Sequence, residues 1–469
     1  MMKRLSIACI VLLLAACASY QAMPISATQN LSSFESRTLN DPAFENYLEA
    51  HLPRPVGPWP PKAWDLQMLT LAAFYYHPDL DVARARRDVA NAKTVTAGAI
   101  PNPAIGFTPQ YDSPAGGLSP WTLGFVLDLP IETAGKRAYR VSGAGHLSEA
   151  ARLEVASAAW RVRSALRAAF VDLYAARERE KLLANQYDIQ MRTVKVLEIR
   201  LSAGEASQPD VTLARLALDR TRLAVEDAAR RRAEAQAGLA RALGLPLAAV
   251  QDLPLSYDEF HAPLPKPPAR QLRSQALRNR PDLLAALARY AASQSALQLE
   301  IARQYPDLTI GPGYKWAQGT RQWSLGISLM LPLFNQNQGP IAEANAGRRL
   351  AAANFTALQA QVLGEIDRSY AGFTKALNKL AAADRLLARA RRQLESSRAL
   401  FDAGEADRIT LLGAEREIAA NRLARLDTLI QAQQALGLLE DAVQMPLDAA
   451  IALPEAFAGS AGRDQEMTK

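Results

Sequence analysis

Cysteine is almost absent from this chain of 469 residues: its two copies, Cys9 and Cys17, both stand near the N-terminus. The rest of the chain can therefore form no disulfide and must be stabilised by packing. Histidine is nearly as scarce. His51, His77, His146 and His261 are scattered, and His77, just ahead of Pro78, reads as a surface residue at a helix start rather than a ligand. Met23, Met68, Met191, Met330 and Met445 are equally dispersed, so no soft-metal cluster or metal site is expected. No nucleophile is placed beside a base in a recognisable motif, and the chain reads as a non-enzyme without a cofactor. Gly135-Lys136-Arg137 lacks the spacing and the Ser or Thr of a phosphate loop. Charge of one sign is not in great excess, with 54 Lys and Arg against 47 Asp and Glu. The densest basic run, Arg230-Arg231-Arg232, lies among Glu226, Asp227 and Glu234 at helical spacing, which describes a solvated helix face and not a nucleic-acid surface. Past the N-terminus no apolar run reaches the ~18 residues of a membrane-spanning helix, so any membrane crossing must be made by strands.

The N-terminus has the layout of an export signal. Lys3 and Arg4 precede the apolar stretch from Leu5 to Ala16, which ends in Leu14-Ala15-Ala16-Cys17. That ending resembles the lipobox of bacterial lipoproteins, in which the cysteine becomes the acylated first residue. Cys17 is thus the expected lipidation site and residues 1–17 the signal, although Ala16-Cys17-Ala18 also satisfies an ordinary A-x-A cleavage site. By the same family logic, Ala18 after the cysteine points to the outer membrane.

The chain says much of itself twice. Residues 77–111 align without a gap on residues 280–314, Pro78 falling on Pro281. Trp121 to Pro130 (WTLGFVLDLP) answers Trp323 to Pro332 (WSLGISLMLP), and Ala203-Gly204-Glu205-Ala206 answers Ala403-Gly404-Glu405-Ala406. A unit of this length is far larger than the ~20–50 residues of a solenoid repeat. Two copies, expected over residues 63–262 and 263–455, must build one structure together.

Each copy mixes two periodicities. Val155, Ala159, Val162, Leu166, Ala169, Leu173 and Ala176 recur in a 3-4 rhythm, and Ile366, Tyr370, Phe373, Leu377 and Leu380 do so in the second copy. Proline is missing between Pro130 and Pro209, so one helix can run from about Ala134 to Ser202, on the order of 100 Å at 1.5 Å per residue. Glycine-bearing breaks at about 203–209 and 403–409 turn each long helix back as an antiparallel hairpin. The other ends alternate with a period of two: Trp121, Leu123, Phe125, Leu127 and Leu129 against Thr122, Gly124 and Asp128. Strands are expected at about 103–111, 121–129, 306–314 and 322–331, near the ~9–11 residues that cross a bilayer as tilted barrel strands. Four strands cannot close a barrel, because open edges would leave backbone groups unpaired in lipid.

These features resemble the TolC-type outer membrane factors, the exit ducts of tripartite efflux and secretion systems, over roughly Trp64 to Leu453. The stretches Pro130 to Arg137 and Leu331 to Gly339 look most like the heavy-metal efflux branch. The resemblance implies a mainly α fold with a membrane β-barrel: long coiled α-hairpins forming a periplasmic tunnel, and four strands per chain in a trimeric 12-stranded barrel. It implies a homotrimer in outer membrane lipid, a periplasmic adaptor and an inner-membrane pump as partners, and heavy-metal cations or drugs as cargo. It also makes the hairpin tips the working sites. Ala203, Gly204, Glu205, Ala403, Gly404 and Glu405 become adaptor-contact candidates. Ile409 and Leu412 become constricting gate candidates with Asp407 as a nearby charge, since Gly413 stands where the family often carries Asp. Residues 18–62, Pro-rich toward their end, are expected as an extended strap; Leu264 to Pro268 links the copies, and 456–469 is expected as a disordered tail. A lipid-anchored periplasmic coiled-coil adaptor or scaffold without a channel would share the hairpins and the anchor but not four barrel-length amphipathic strands.

Overall fold

The computed structural model describes residues 20–52, 54–113, 119–317 and 319–447. The expected signal, Cys17 and the expected tail lie outside these residues. Two short helices open the described chain, α1 (Ala27–Glu35) and α2 (Pro42–His51). Within the segment expected as an extended strap, residues 18–62, they make 27–35 and 42–51 helical. Asp41 caps α2 by accepting the Ala43 N–H at 2.9 Å, Pro42 fits the first turn, and Phe44 and Leu48, one turn apart, are fully buried. Phe44 stacks on Trp64 and touches Tyr75 and Tyr76, so this segment is part of the core.

The duplication then appears as geometry. The first copy runs α3 (Leu66–Tyr76), α4 (Pro78–Gly98), β1 (Ala104–Tyr111), β2 (Trp121–Ile131), α5 (Lys136–Ser202) and α6 (Gln208–Leu243). The second runs α7 (Ala269–Asn279), α8 (Pro281–Ala302), β3 (Leu308–Ala317), β4 (Thr320–Leu329), α9 (Gln338–Asp402) and α10 (Arg408–Val443). The long helices measure 67 and 65 residues, and their return helices 36 each. Both long helices start from a left-handed residue at the same step of the repeat, Gly135 at φ 72° and Asn337 at φ 65°.

The strands form one antiparallel sheet in the order β1-β2-β3-β4. Tyr111 faces Trp121 in the first hairpin and Tyr314 faces Trp323 in the second, with ring centroids 5.1 and 4.9 Å apart. The two hairpins therefore share a register and place their aromatic pairs at the same end, as interfacial girdles require. Ile105, Phe107, Trp323, Leu325 and Ile327 are exposed in the single chain. No helix among the described residues is long and apolar enough to cross a membrane.

The halves are locked together where α5 crosses α10. Arg163 and Glu440 are almost fully buried and bond at 3.1 Å; Arg167, also buried, reaches the same carboxylate at 3.4 Å and the Gln433 carbonyl at 2.8 Å. Trp160 and Ser164 donate to Asp441 at 2.9 and 2.6 Å. Burial pulls the Arg167 guanidinium down and pushes the Asp441 carboxyl up from their ordinary values. Gly437 leaves room for this: a methyl there would stand 2.6 Å from Nη1 of Arg167. In the second half Arg280, also buried, holds Asp282 at 2.6 Å and the Ala442 carbonyl at 2.6 Å. Its counterpart His77 is no plain surface residue: half-buried, its Nδ1 accepts the Asp79 N–H at 3.2 Å to cap α4, and burial lowers its pKa.

Removing one partner of a buried ion pair strands the other charge, at a cost of ~3–5 kcal/mol. Glu440→Ala, which strands two guanidinium groups, is expected to move the helix-detected unfolding midpoint in denaturant to a clearly lower concentration. Arg230→Ala, at an exposed surface pair, is expected to leave it in place. Equal midpoints for Glu440→Ala and the parent would refute the locking role.

Candidate functional site at the helical hairpin tips

Both hairpins turn by the same device. Helix α5 ends at Ser202, Ala203 caps it, and Gly204 takes φ 75°, so that the Gly204 N–H reaches the Leu201 carbonyl at 3.0 Å and the Glu205 N–H the Arg200 carbonyl at 2.8 Å. At the second tip Gly404 takes φ 76°, with the matching bonds to Phe401 at 3.0 Å and Leu400 at 2.9 Å. This closure needs a left-handed residue, which glycine supplies without a Cβ penalty. The return helices begin earlier than expected, at Gln208 and Arg408, because each has a side-chain cap. Ser207 and Asp210 bond reciprocally as a capping box, and Asp407 accepts from the Thr410 N–H and Oγ1, both at 2.7 Å. Ala203, Gly204, Glu205, Ala403, Gly404 and Glu405 are all exposed on these turns.

Asp407 also joins the two tips. Nη2 of Arg200, on α5, lies 2.9 Å from its Oδ2. The Thr410 hydroxyl and N–H, with Arg200 adding to them, hold the Asp407 carboxyl at about 2, well below the usual carboxylate range. Farther from the tip Arg192 meets Glu415 at 2.8 Å and Arg179 meets Asp427, so arginines of α5 repeatedly grip acids of α10. Between these pairs sits a small apolar seam of Ile189, Leu412 and Ala419.

That seam contains Leu412, one of the expected gate residues, which is 1% exposed in the single chain and packs with Ile189 of α5. Ala419, Leu426 and Leu429 of α10 are buried as well, so the apolar side chains of α10 hold it against its neighbours from the tip inward. Ile409 is half-buried and Asp407 exposed. Arg200 was missed from the sequence because its partner lies 207 residues away. Among the described residues no group of three His, Cys, Asp or Glu comes together as a metal site. The arrangement is a polar joint at the end of a long helical hairpin pair.

A four-stranded sheet of barrel-length strands carried on paired ~100 Å helical hairpins defines a channel-forming protein of an outer membrane. The chain belongs to the outer membrane efflux protein family, whose pattern matches residues 73–245 and 272–443, one block in each repeat. It is similar to the cobalt-zinc-cadmium resistance protein CzcC of Cupriavidus metallidurans, 27% identical over 66% of this chain and 74% of the relative. It is also similar to the pyoverdine export outer membrane protein OpmQ of Pseudomonas aeruginosa, 26% identical over 80% and 85% of the two chains. Its fold is that of the outer membrane protein VceC of Vibrio cholerae, with a TM-score of 0.66, 20% identity and coverage of 82% of this chain and 97% of that one. The protein is thus an outer membrane efflux channel component and not an enzyme, and the adaptor without a channel is set aside.

Because the Asp407 carboxyl is held below its unfolded value, the stability it contributes is complete above the ordinary carboxylate pKa and fades as pH falls through about 2. Asp407→Ala should raise single-channel conductance in planar bilayers. Leu412→Ala, which empties the seam behind it, should do the same by loosening α10 from α5. Conductance through the parent should be unaffected by this joint between neutral pH and about pH 4. A parent-like conductance in both variants would show that the tip joint does not restrict the pore.

Proposed function

We propose that three copies of this chain form the passive exit duct of a tripartite efflux system, their sheets closing one 12-stranded barrel and their hairpins one periplasmic tunnel. The observation that carries this reading is the sheet order. Strands β1 and β4 each have a free edge in the single chain, and in lipid every such N–H and C=O must find a partner. A second copy supplies the same two edges, and three copies supply the 12 strands of a channel. The exposed turns at Gly204 and Gly404 are the surfaces offered to a periplasmic adaptor, through which an inner-membrane pump delivers its cargo. Likeness to CzcC favours heavy-metal cations as that cargo. With no clustered ligands among the described residues to hold a metal, selection falls to the pump. The lipobox motif supports acylation of Cys17, which would anchor each copy to the membrane its strands cross.

Detergent-extracted protein is expected to have three times the chain mass by light scattering, after subtraction of bound detergent. A monomer retaining its β signal in circular dichroism would contradict the shared barrel. Mass spectrometry of the mature N-terminus should find a lipid on Cys17 and none in Cys17→Ser; an unmodified wild-type terminus beyond Cys17 would end the lipoprotein reading.

A further inference from the structure

The internal repeat contains one complete copy of a joint that the single chain leaves half-made. Strand β2 runs to Ile131 because β3 pairs with it to the end, Leu129 facing Ile310 and Ile131 facing Leu308. Its counterpart β4 stops four residues short on the repeat scale, at Leu329, where its pairing with Leu308 ends. Met330, Leu331 and Leu333 continue the apolar strand pattern yet have no ladder partner, and they are 84%, 63% and 72% exposed. The Leu333 N–H turns back on the Leu331 carbonyl at 2.9 Å instead. Pro332 falls on Pro130, and the helix starts Gln338 and Lys136 keep the same offset, so the repeat holds without a gap through this segment.

We infer that β4 of one copy extends through Leu333 by pairing with β1 of the next in the register that β2 and β3 already display. The proposal rests on the shared-barrel reading and adds the alignment of its seam. Carrying the β2–β3 pairs forward one repeat sets Leu331 opposite Phe107, Met330 opposite Thr108 and Leu333 opposite Ile105 of the next copy. Phe107 and Ile105, 53% and 78% exposed, lie on the free edge strand β1. Register is specified by such side-chain matching, because a slip of one residue would turn every apolar side chain to the other face.

The chemistry below the strands differs between the two joints. Within a copy, Lys136 Nζ bonds Asp307 at 2.7 Å and the Tyr305 carbonyl at 2.6 Å, while the Thr133 N–H bonds Asp307 at 2.9 Å. At the equivalent steps between copies the ammonium becomes Gln338 and the carboxylate becomes Ala104. Phe334, fully exposed, stands where Glu132 stands in the first copy. The joint within a copy is ionic, and neither of its two charges nor Glu132 recurs at the equivalent steps between copies.

Paired cysteines test the register in the full chain. In an antiparallel ladder directly opposite residues sit ~4.5–5.5 Å apart, within disulfide reach, and alternate between two geometries. Leu331→Cys with Phe107→Cys and Met330→Cys with Thr108→Cys together sample both. At least one pair is expected to convert the monomer band into covalent dimers and trimers on non-reducing gels. Leu331→Cys with Pro109→Cys, Leu331→Cys with Ile105→Cys and each single variant should remain monomeric on the same gels. Cross-linking of a shifted pair, in protein of trimeric mass, overturns the register and leaves the shared barrel standing. Trimeric protein in which no pair cross-links overturns edge pairing between β4 and β1. Monomeric parent protein removes the shared barrel itself, and this inference with it. Hydrogen exchange on the unsubstituted assembly gives an independent reading: those amides among Met330, Leu331 and Leu333 that point toward the next copy should be protected like their counterparts in β2, and exchange of all three as fast as at the exposed hairpin tips would overturn the extension.

Discussion

Backbone hydrogen bonding in a medium without water is the constraint on which the rest of this structure depends. Lipid accepts strands only if every N–H and C=O is paired, and this chain pairs the inner edges of its sheet while leaving β1 and β4 open. Duplication is an economical answer. One hairpin encoded twice gives four strands in a repeated register, and the same edges can then be used again between copies. The long helices follow from the same plan, since each strand hairpin feeds a helix that leaves the membrane at its own step of the repeat.

Polar side chains are deployed at two levels with opposite consequences. Midway along the hairpins, Arg163, Arg167, Glu440 and Gln433 are buried together, where an unpaired charge is costly and the geometry is therefore rigid. At the tips, Arg200 and Asp407 are joined in partial solvent, where an ion pair contributes ~0–1 kcal/mol. The middle of the molecule resists separation while its end can part at small cost. The chain uses the same Arg–carboxylate chemistry at different depths.

Periodicity and punctuation in the sequence determined a great deal. The 3-4 rhythm with its proline-free span delimited the first long helix to within two residues at its start, and period-two alternation located all four strands. Glycines 204 and 404 marked the turns because a left-handed closing residue is a local requirement. Each of these signals is short-range: it depends on neighbours along the chain and so can be read from the chain. The Pro-rich end of residues 18–62 misled because composition outweighed the Asp41-Pro42 cap and the one-turn spacing of Phe44 and Leu48, which are local too.

What only the tertiary structure decided is which face meets which. The sequence shows that Leu412 is apolar, but not whether it lines a channel or packs on Ile189 of α5. Arg200 and Asp407, like Arg163 and Glu440, are ordinary charges in sequence, and become a tip joint and a buried lock only when helices hundreds of residues apart are laid side by side. Helical periodicity fixes the angular position of a side chain about its own axis. The rotation of one helix against another is set by packing among all of them at once, and no single segment carries that information.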